Sequence, residues 1–449
     1  MKATGRLKRT DVCIVGGGIA GTALAAAISQ SPFASGLKVT LIEGGNLFTK
    51  PEHRPGIGAW DRIPVDRKKV FTQMKIWDAM GYGKLGFNAP QTNASSCIGW
   101  IVESNWLRYA VAQSVDQKSV SILNNETVES VTRPAAPDEQ NLEWPVVVLK
   151  DASRIQSRLL VGADGANSLV RKFAGIDALG WEYPQKAIVA TLDLEGVEGK
   201  ENDIAYQKFL PGGPIAILPL SATKSSLVWS TTPANAAKLS KLTNSNFANF
   251  VDIAFRNSVE DIQFLFSQIN EQDGSLPQNI NIEKEAEWGR NRLLDPNYDG
   301  TGLPPTYTIL PKIAGVVEGS RAGFPLRFWH SENYIGSDGR IALIGDAAHT
   351  IHPLAGQGLN LGLLDVATLS KVIDEGVISG SDVGNLHTLQ NYAAERFAPN
   401  LAMMMAVDSV GKLFRTESDL IVWARSFGLN LVNSLPAVKN MAMFAASSL

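Results

Sequence analysis

The sequence predicts an α/β fold whose Rossmann-like domain is drawn from separated stretches of chain, with a second, β-rich domain and a helical C-terminal region. Three observations predict it. Asp11–Gly21 reads DVCIVGGGIAG, an apolar strand running into Gly16-x-Gly18-x-x-Gly21 and then an alanine-rich helix. Val161–Arg171 reads VGADGANSLVR, in which a strand runs into Asp164-Gly165. Arg340–Gly362 reads RIALIGDAAHTIHPLAGQGLNLG, an apolar strand ending in Gly345-Asp346 and followed by a glycine-opened helix.

The first stretch is a Rossmann-like turn. Such a turn needs glycine for its tightness at Gly16, for close approach of a pyrophosphate at Gly18, and for close helix–strand packing at Gly21. The helix beyond it, Ile19–Ser29, offers free backbone N–H groups and a positive dipole end to phosphates. Lys38–Glu43 (KVTLIE) is a second strand ending in an acid. Glu43 lies 22 residues after Gly21, close to the ~20-residue offset of a carboxylate that binds ribose hydroxyls. The same glycine spacing recurs at Gly81-Tyr82-Gly83-Lys84-Leu85-Gly86. No apolar strand precedes that copy and Phe87-Asn88-Ala89-Pro90 cannot open an ordinary helix, so it reads as a loop.

Length and composition narrow the function classes. A chain of 449 residues exceeds one ordinary core and implies two intertwined domains. Its net charge of −3 carries no nucleic-acid footprint. Cys13 and Cys97 are the two cysteines. Their distance suggests neither a disulfide framework nor a metal site and fits a reducing compartment. The five histidines lack ligand spacing, so no metal is expected. No apolar run approaches the ~18 residues that span a bilayer. The start, MKATGRLKRT, is basic but too short for a transit peptide.

Further elements follow in order. Val120–Ile122, Thr127–Val131, Val146–Lys150 and Ser157–Val161 read as short antiparallel strands, with Asp151-Ala152-Ser153 as a turn. Ala187–Trp229 is β-rich, and Asn244–Asn270 has helical periodicity. Glu271–Thr306 is polar and rich in Asn, Asp and Gly, which reads as an exposed insertion. A helix is expected from about Gln357 to Glu375, and the chain after Leu386 is mostly helical.

The third stretch adds chemistry. Asp346 would stand at the C-terminal end of a parallel strand, where open α/β sheets bind ligands, and an acceptor there suits a polyol chain. Ala355-Gly356-Gln357-Gly358 lets backbone approach a ring or phosphate. Together, the three stretches resemble the class A flavoprotein monooxygenases, the para-hydroxybenzoate hydroxylase-like group. Within that group the chain is most similar to the eukaryotic ubiquinone-biosynthesis branch. LVGADGANSLVR, QKFLPGGPIAILPL, SLVWST, IALIGDAAHTIHPLAGQGLNLG and FGLNLVNSLPAVKNM carry the likeness over nearly the whole chain.

The resemblance implies a discontinuous FAD-binding domain (1–70, 98–182 and 332–398), a β-sheet substrate domain (71–97 and 183–331) and a helical region over 399–449. It implies that Gly16, Gly18 and Gly21 hold the adenosine diphosphate part of FAD, with Glu43 on its ribose. Asp164 and Gly165 would form the loop that meets FAD and any pyridine nucleotide, with Arg171 supporting it. Gly345 and Asp346 would bind the ribityl chain. Pro353, Gly356, Gly358, Leu359 and Asn360 would line the isoalloxazine, with Asn105 near the cofactor and Arg108 a weaker candidate. His349 and His352 invite a general-base reading. Oxygen transfer to an electron-rich phenol does not demand a base, which favours a positioning role, and His352 stays a candidate beside Pro353.

The implied reaction hydroxylates ring carbon 5 of a polyprenyl phenol with dioxygen. Ferredoxin and its reductase, or NADPH, would supply electrons, on the matrix side of the mitochondrial inner membrane among other ubiquinone-biosynthesis proteins. A non-catalytic FAD-binding scaffold and an FAD-dependent reductase are the alternatives. The chain departs from the family after Glu43. GGNLFTKPEHRPGIG leads straight to Ala59-Trp60-Asp61, without the family's Arg-Val-Ser-Ser-like element, for which Arg54 or Arg62 would be candidate substitutes that nothing in the sequence singles out. Finally, Met403, Met404, Met405, Met441 and Met443, with Trp423 and Phe427, make the C-terminal region either a helical cap or a membrane- or partner-docking segment.

Overall fold

The computed structural model describes residues 7–49, 63, 67–89, 97–133, 143–195, 201–294, 310–435 and 439. Arg54, Arg62, the Ala59-Trp60-Asp61 stretch, Met441 and Met443 lie outside the described residues. The chain divides into two compact units. One comprises Met1–Pro64, Ser104–Trp181 and Arg327–Val407, the other Val65–Glu103, Glu182–Leu326 and Asp408–Leu449. The helix Leu386–Arg415 is continuous across residue 399, where a separate region was expected to begin, and Pro399 sits inside it without ending it.

In the first unit Leu7–Val15 is a central strand of a seven-stranded sheet. It runs parallel to Val39–Glu43 on one side and Arg154–Gly162 on the other, with Val12 opposite Val39 and Leu159. Val120–Asn124 pairs parallel with Val39–Glu43, and Ile341–Leu343 pairs parallel with the end of Arg154–Gly162. An antiparallel ribbon of Val128–Thr132 and Val146–Leu149 flanks the start of Arg154–Gly162. Two of the four strands expected to be antiparallel are therefore parallel. Their surroundings explain it: Leu159, Leu160 and Val161 are fully buried, as strands covered on both faces must be. Small residues along Ile19–Gln30 bury Gly21, Leu24, Ala25 and Ile28 against this sheet.

The second unit's sheet runs in the order Ala178–Glu195 (within this unit from Glu182), Lys224–Thr231, Gly213–Pro219, Ile204–Leu210, Gln73–Asp78, Lys84–Asn88. Helices Pro233–Lys241, Asn244–Arg256, Val259–Gln268 and Ile282–Leu294 supply the rest of its core, with Trp229, Phe250 and Phe266 in mutual ring contact. Ile282–Leu294 falls in the stretch expected to be an exposed insertion. Ile282, Ala286 and Gly289 turn inward, and Arg290 pairs at 2.5 Å with the buried Asp252, which also holds Arg256. Lys208 is fully enclosed and donates to the carbonyls of Ala254 (3.0 Å) and Asn257 (2.8 Å), at the end of Asn244–Arg256. Burial pushes its pKa down to about 7.

The second glycine copy is a hairpin rather than a free loop. Gly81 and Gly83 turn the chain between Gln73–Asp78 and Lys84–Asn88, and Gly86 lies within the latter strand. The helix Asp419–Ser434 sits directly on this turn. A Cβ on Gly83 would fall 2.8 Å from Ser426 Cα, and one on Gly81 2.2 Å from Ser426 Oγ. Arg425 fixes the contact by donating to both carboxylate oxygens of buried Asp78 (2.6 and 3.0 Å) and to the Leu413 and Thr416 carbonyls. Asn430 and Asn433 accept from the N–H groups of Lys84 and Gly86, each at 3.1 Å. Among the described residues no helix is long and apolar enough to cross a membrane, and no group of three His, Cys, Asp or Glu is placed to hold a metal.

Candidate functional site

At the first turn, Gly16 has φ +107°, and a Cβ there would fall 2.3 Å from the Ala163 carbonyl oxygen. A Cβ on Gly21 would fall 2.0 Å from Gly16 O. These two glycines serve packing of protein on protein. Gly18 differs, because a Cβ there meets nothing within 4 Å. It borders open space at the start of Ile19–Gln30, whose N-terminus no side chain caps, so backbone donors face that space as they would an anion. Glu43 ends its strand with Oε2 accepting from Gly17 N–H (2.7 Å) and Oε1 from Gly45 N–H (2.8 Å). Each oxygen keeps capacity for one further donor.

The second motif is turned inward. Asp164 accepts from Ser168 Oγ (2.5 Å) and the Leu169 N–H (2.7 Å), and so organises the start of the short helix Leu169–Phe173. Gly165 takes φ +79° with open space beside it. Arg171 donates to the Ala166 carbonyl (2.7 Å) and to the Ala347 carbonyl (2.8 Å), which ties the second loop to the third. Desolvation lowers its pKa, with Asp164 opposing.

The third motif leaves its strand at Gly345, with φ +56°. A Cβ there would lie 3.4 Å from Ala20 Cβ and 3.9 Å from Gly362 Cα, so the first and third motifs also touch. Asp346 is accessible, in the short 3-10 turn Gly345–Ala347 that follows the left-handed Gly345. Surrounding protein atoms still desolvate it and raise its pKa, with His349 opposing. His352 is buried, and its Nδ1 accepts from the Leu354 N–H (3.1 Å), capping the turn Pro353–Ala355. That nitrogen is therefore committed to backbone. Gly356 follows at φ +62°, bordering open space. Gly358, Leu359 and Asn360 open the helix Gly358–Ile378, whose N-terminus also lacks a side-chain cap. Asn105 is exposed in the first turn of Ser104–Ala112, and Arg108 is half-buried one turn on.

A buried network beneath this loop escaped the sequence reading. Asp365 is fully buried and accepts from Gly345 N–H (3.0 Å), Asn400 Nδ2 (2.9 Å) and Arg396 Nε (3.2 Å), and bonds His349 Nε2 at 2.6 Å. Burial raises its pKa, but His349 and these donors outweigh that and hold it below the usual carboxylate range. Asn400 continues to the Tyr334 hydroxyl, which meets His330 at 3.0 Å. Burial, with His349 adding, pushes the His330 pKa down to about 4. The available signal was Asp365 itself, the one acid among Leu361, Gly362, Val366 and Leu369 on the inward face of an apolar helix.

Comparison with known proteins agrees with this architecture. A family model described as an FAD binding domain matches residues 325–406, and one described as lycopene cyclase protein matches residues 11–187. The solved structure of PqsL, a probable FAD-dependent monooxygenase from Pseudomonas aeruginosa, superposes with TM-score 0.62 at 20% identity over 94% of this chain and 100% of its own. p-Nitrophenol 4-monooxygenase PnpA from Pseudomonas putida does so at 0.64 and 16% identity, over 97% of each chain. At those identities the likeness concerns the fold. Curated relatives reach further. The protein named ubiquinone biosynthesis monooxygenase COQ6, mitochondrial, is 37% identical in Xenopus tropicalis, over 97% of this chain and 93% of its own length. The Homo sapiens protein of that name is 34% identical over 97% and 92%, and the Schizosaccharomyces pombe protein 32% over 97% and 91%. With identity at this level along nearly its whole length, the chain belongs to the ubiquinone biosynthesis monooxygenase family.

Proposed function

We propose that this protein is an FAD-dependent monooxygenase that hydroxylates the aromatic ring of a polyprenyl phenol in ubiquinone biosynthesis. The observation that carries the reading is the meeting of three separated motifs, through Arg171 and the Ala20–Gly345–Gly362 contact, in a chain of this family. The open space at Gly18, Gly165 and Gly356 and the two uncapped helix starts fit a dinucleotide that needs backbone donors and room. In this reading Gly16 and Gly21 set the turn, and Gly18 with the start of Ile19–Gln30 takes the pyrophosphate. Glu43 takes ribose hydroxyls. Asp346 accepts from the ribityl chain, while Asp365 holds the Gly345 N–H and so fixes the direction of that turn. Asp164 and Arg171 keep the Gly165 loop in place. Pro353, His352, Gly356, Gly358, Leu359 and Asn360 shape the side facing the ring system, with Asn105 close to the cofactor.

FAD supplies the activation of dioxygen when bound and reduced. The protein's own task is to orient the phenol ring and exclude water while one oxygen atom is transferred. With Nδ1 of His352 committed and Nε2 of His349 bonded to Asp365, both histidines act as positioning groups, and no protein base is required. For the finer points, electrons come from a ferredoxin and its reductase in the mitochondrion, at the matrix face of the inner membrane. The test is direct. Purified protein is expected to take up FAD with a perturbed flavin spectrum and, with reductant, to place one atom of labelled dioxygen in the product. Folded protein that takes up no flavin, or product free of label, overturns the reading. Faster flavin reduction by NADPH than by reduced ferredoxin would overturn the choice of donor alone.

A further inference from the structure

The helix Asp419–Ser434 is amphipathic in the inverted sense. A helix on a protein surface normally buries its apolar stripe and shows water its polar one. Here the inward side carries, beside Val422 and Leu429 on the Gly81–Gly83 turn, polar groups with fixed partners: Arg425 on Asp78, and Asn430 and Asn433 on the backbone N–H groups of Lys84 and Gly86. The outward side carries Leu420, Trp423, Phe427 and Leu431, which are 74%, 56%, 55% and 47% exposed. Their spacing of three, four and four residues puts them in one stripe, ~16 Å long at the helical rise. The Trp423 and Phe427 rings stack at 5.9 Å. Val410 and Leu413, at the end of the preceding helix, are exposed as well.

We infer that this outward face docks on an anionic lipid bilayer. Three features select that occupant. The stripe lies along a single helix, so it offers a line for shallow insertion. Tryptophan is the side chain most at home where apolar and wet layers meet. Charge is the third. The groups on the helix, on the hairpin it covers, on the adjoining helix end and on the flanking residues Glu417 and Lys439, the latter reaching Asn433, are Lys75, Lys84, Lys412, Arg415 and Lys439 against Asp408, Glu417 and Asp419, with Arg425 and Asp78 cancelling each other. That leaves an excess of two positive charges, and residues 440–449 add no charged side chain. The choice of a lipid rests on the proposed polyprenyl substrate, which a bilayer would deliver. The exposed stripe stands without it.

The experiment is co-sedimentation of the flavin-loaded full chain with vesicles of phosphatidylcholine alone and of phosphatidylcholine and phosphatidylglycerol in equal parts. The wild type is expected to partition onto the mixed vesicles, more weakly at high salt and on the neutral ones. The pair Trp423→Ser/Phe427→Ser is expected to lower partition at least ~10-fold with melting temperature and flavin content unchanged. Phe264→Ser, at an exposed site on another helix of the same unit, is expected to change nothing. The inference is overturned if the wild type ignores both vesicles, if the double variant partitions like the wild type, or if light scattering shows that the pair splits a dimer. Vesicle binding by protein that accepts no FAD would sink the enzyme reading and leave the docking surface standing.

Discussion

Two stretches of this chain share the spacing Gly-x-Gly-x-x-Gly and use it for opposite ends. At Gly16–Gly21 the outer glycines let the chain's own backbone close in, and the middle one faces open space. At Gly81–Gly86 the space beside the first two glycines is filled by the helix Asp419–Ser434. One copy makes room for something that is not protein, and the other makes room for protein. The pattern of glycines is therefore silent about ligands. A strand precedes both turns, so what speaks is whether a helix follows and an unoccupied volume remains at the middle position.

That contrast can be broken experimentally. The largest effect is expected from Arg425→Leu, which strands the Asp78 carboxylate in the interior. Thermal or urea unfolding should show a loss of ~3–5 kcal/mol, with much of it restored in the double variant Arg425→Leu/Asp78→Leu. A loss under ~1 kcal/mol would mean that this pair is not what seats the helix on the second copy. Next comes Gly83→Ala, whose methyl group collides with Ser426 backbone. It should cost ~1–3 kcal/mol of stability while the affinity for FAD, measured by flavin titration, stays unchanged.

Gly18→Ala should do the reverse. Its φ of −64° suits alanine, so stability should change by less than ~1 kcal/mol. The methyl group enters the space assigned to the pyrophosphate and should weaken FAD binding ~10-fold or more. Unchanged FAD affinity would remove the distinction between the copies.

A further, pH-dependent effect belongs to the unit of the second copy, where Lys208 pairs in register with Trp77. Its pKa is about 7 when folded against ~10.4 unfolded. Between those values the unfolded chain binds the extra proton, so stability should rise with pH across that window. Below about 7 both states are protonated and this contribution is flat. The difference in melting temperature between wild type and Lys208→Met should therefore shift in favour of wild type from pH 7 to pH 10, and a pH-independent difference would contradict the buried, neutral lysine.

Several parts of this architecture were legible because they are local. The Leu7–Val15 strand, its glycine turn, the helix after it and Glu43 all follow from contiguous residues. Strand direction was not, because an apolar run such as Leu159–Val161 says that both faces are buried and not which way its neighbour runs. The helix Ile282–Leu294 was missed since charged and polar residues dominate its sequence. The Asp365 network was hidden by distance along the chain: Arg396 and Asn400, one turn apart, reach a carboxylate about thirty residues earlier.

The two asparagines of Asp419–Ser434 have a consequence of their own. Lys84–Asn88 is the outermost strand of its sheet, and such a strand ordinarily offers a row of unpaired backbone donors to any passing chain. Asn430 and Asn433 occupy two of those donors with side-chain carbonyls, imitating a neighbouring strand that cannot itself be extended. The helix thus acts as a terminator for sheet growth. A chain cut before Asp419 would lose that protection and is expected to aggregate by strand addition along this margin.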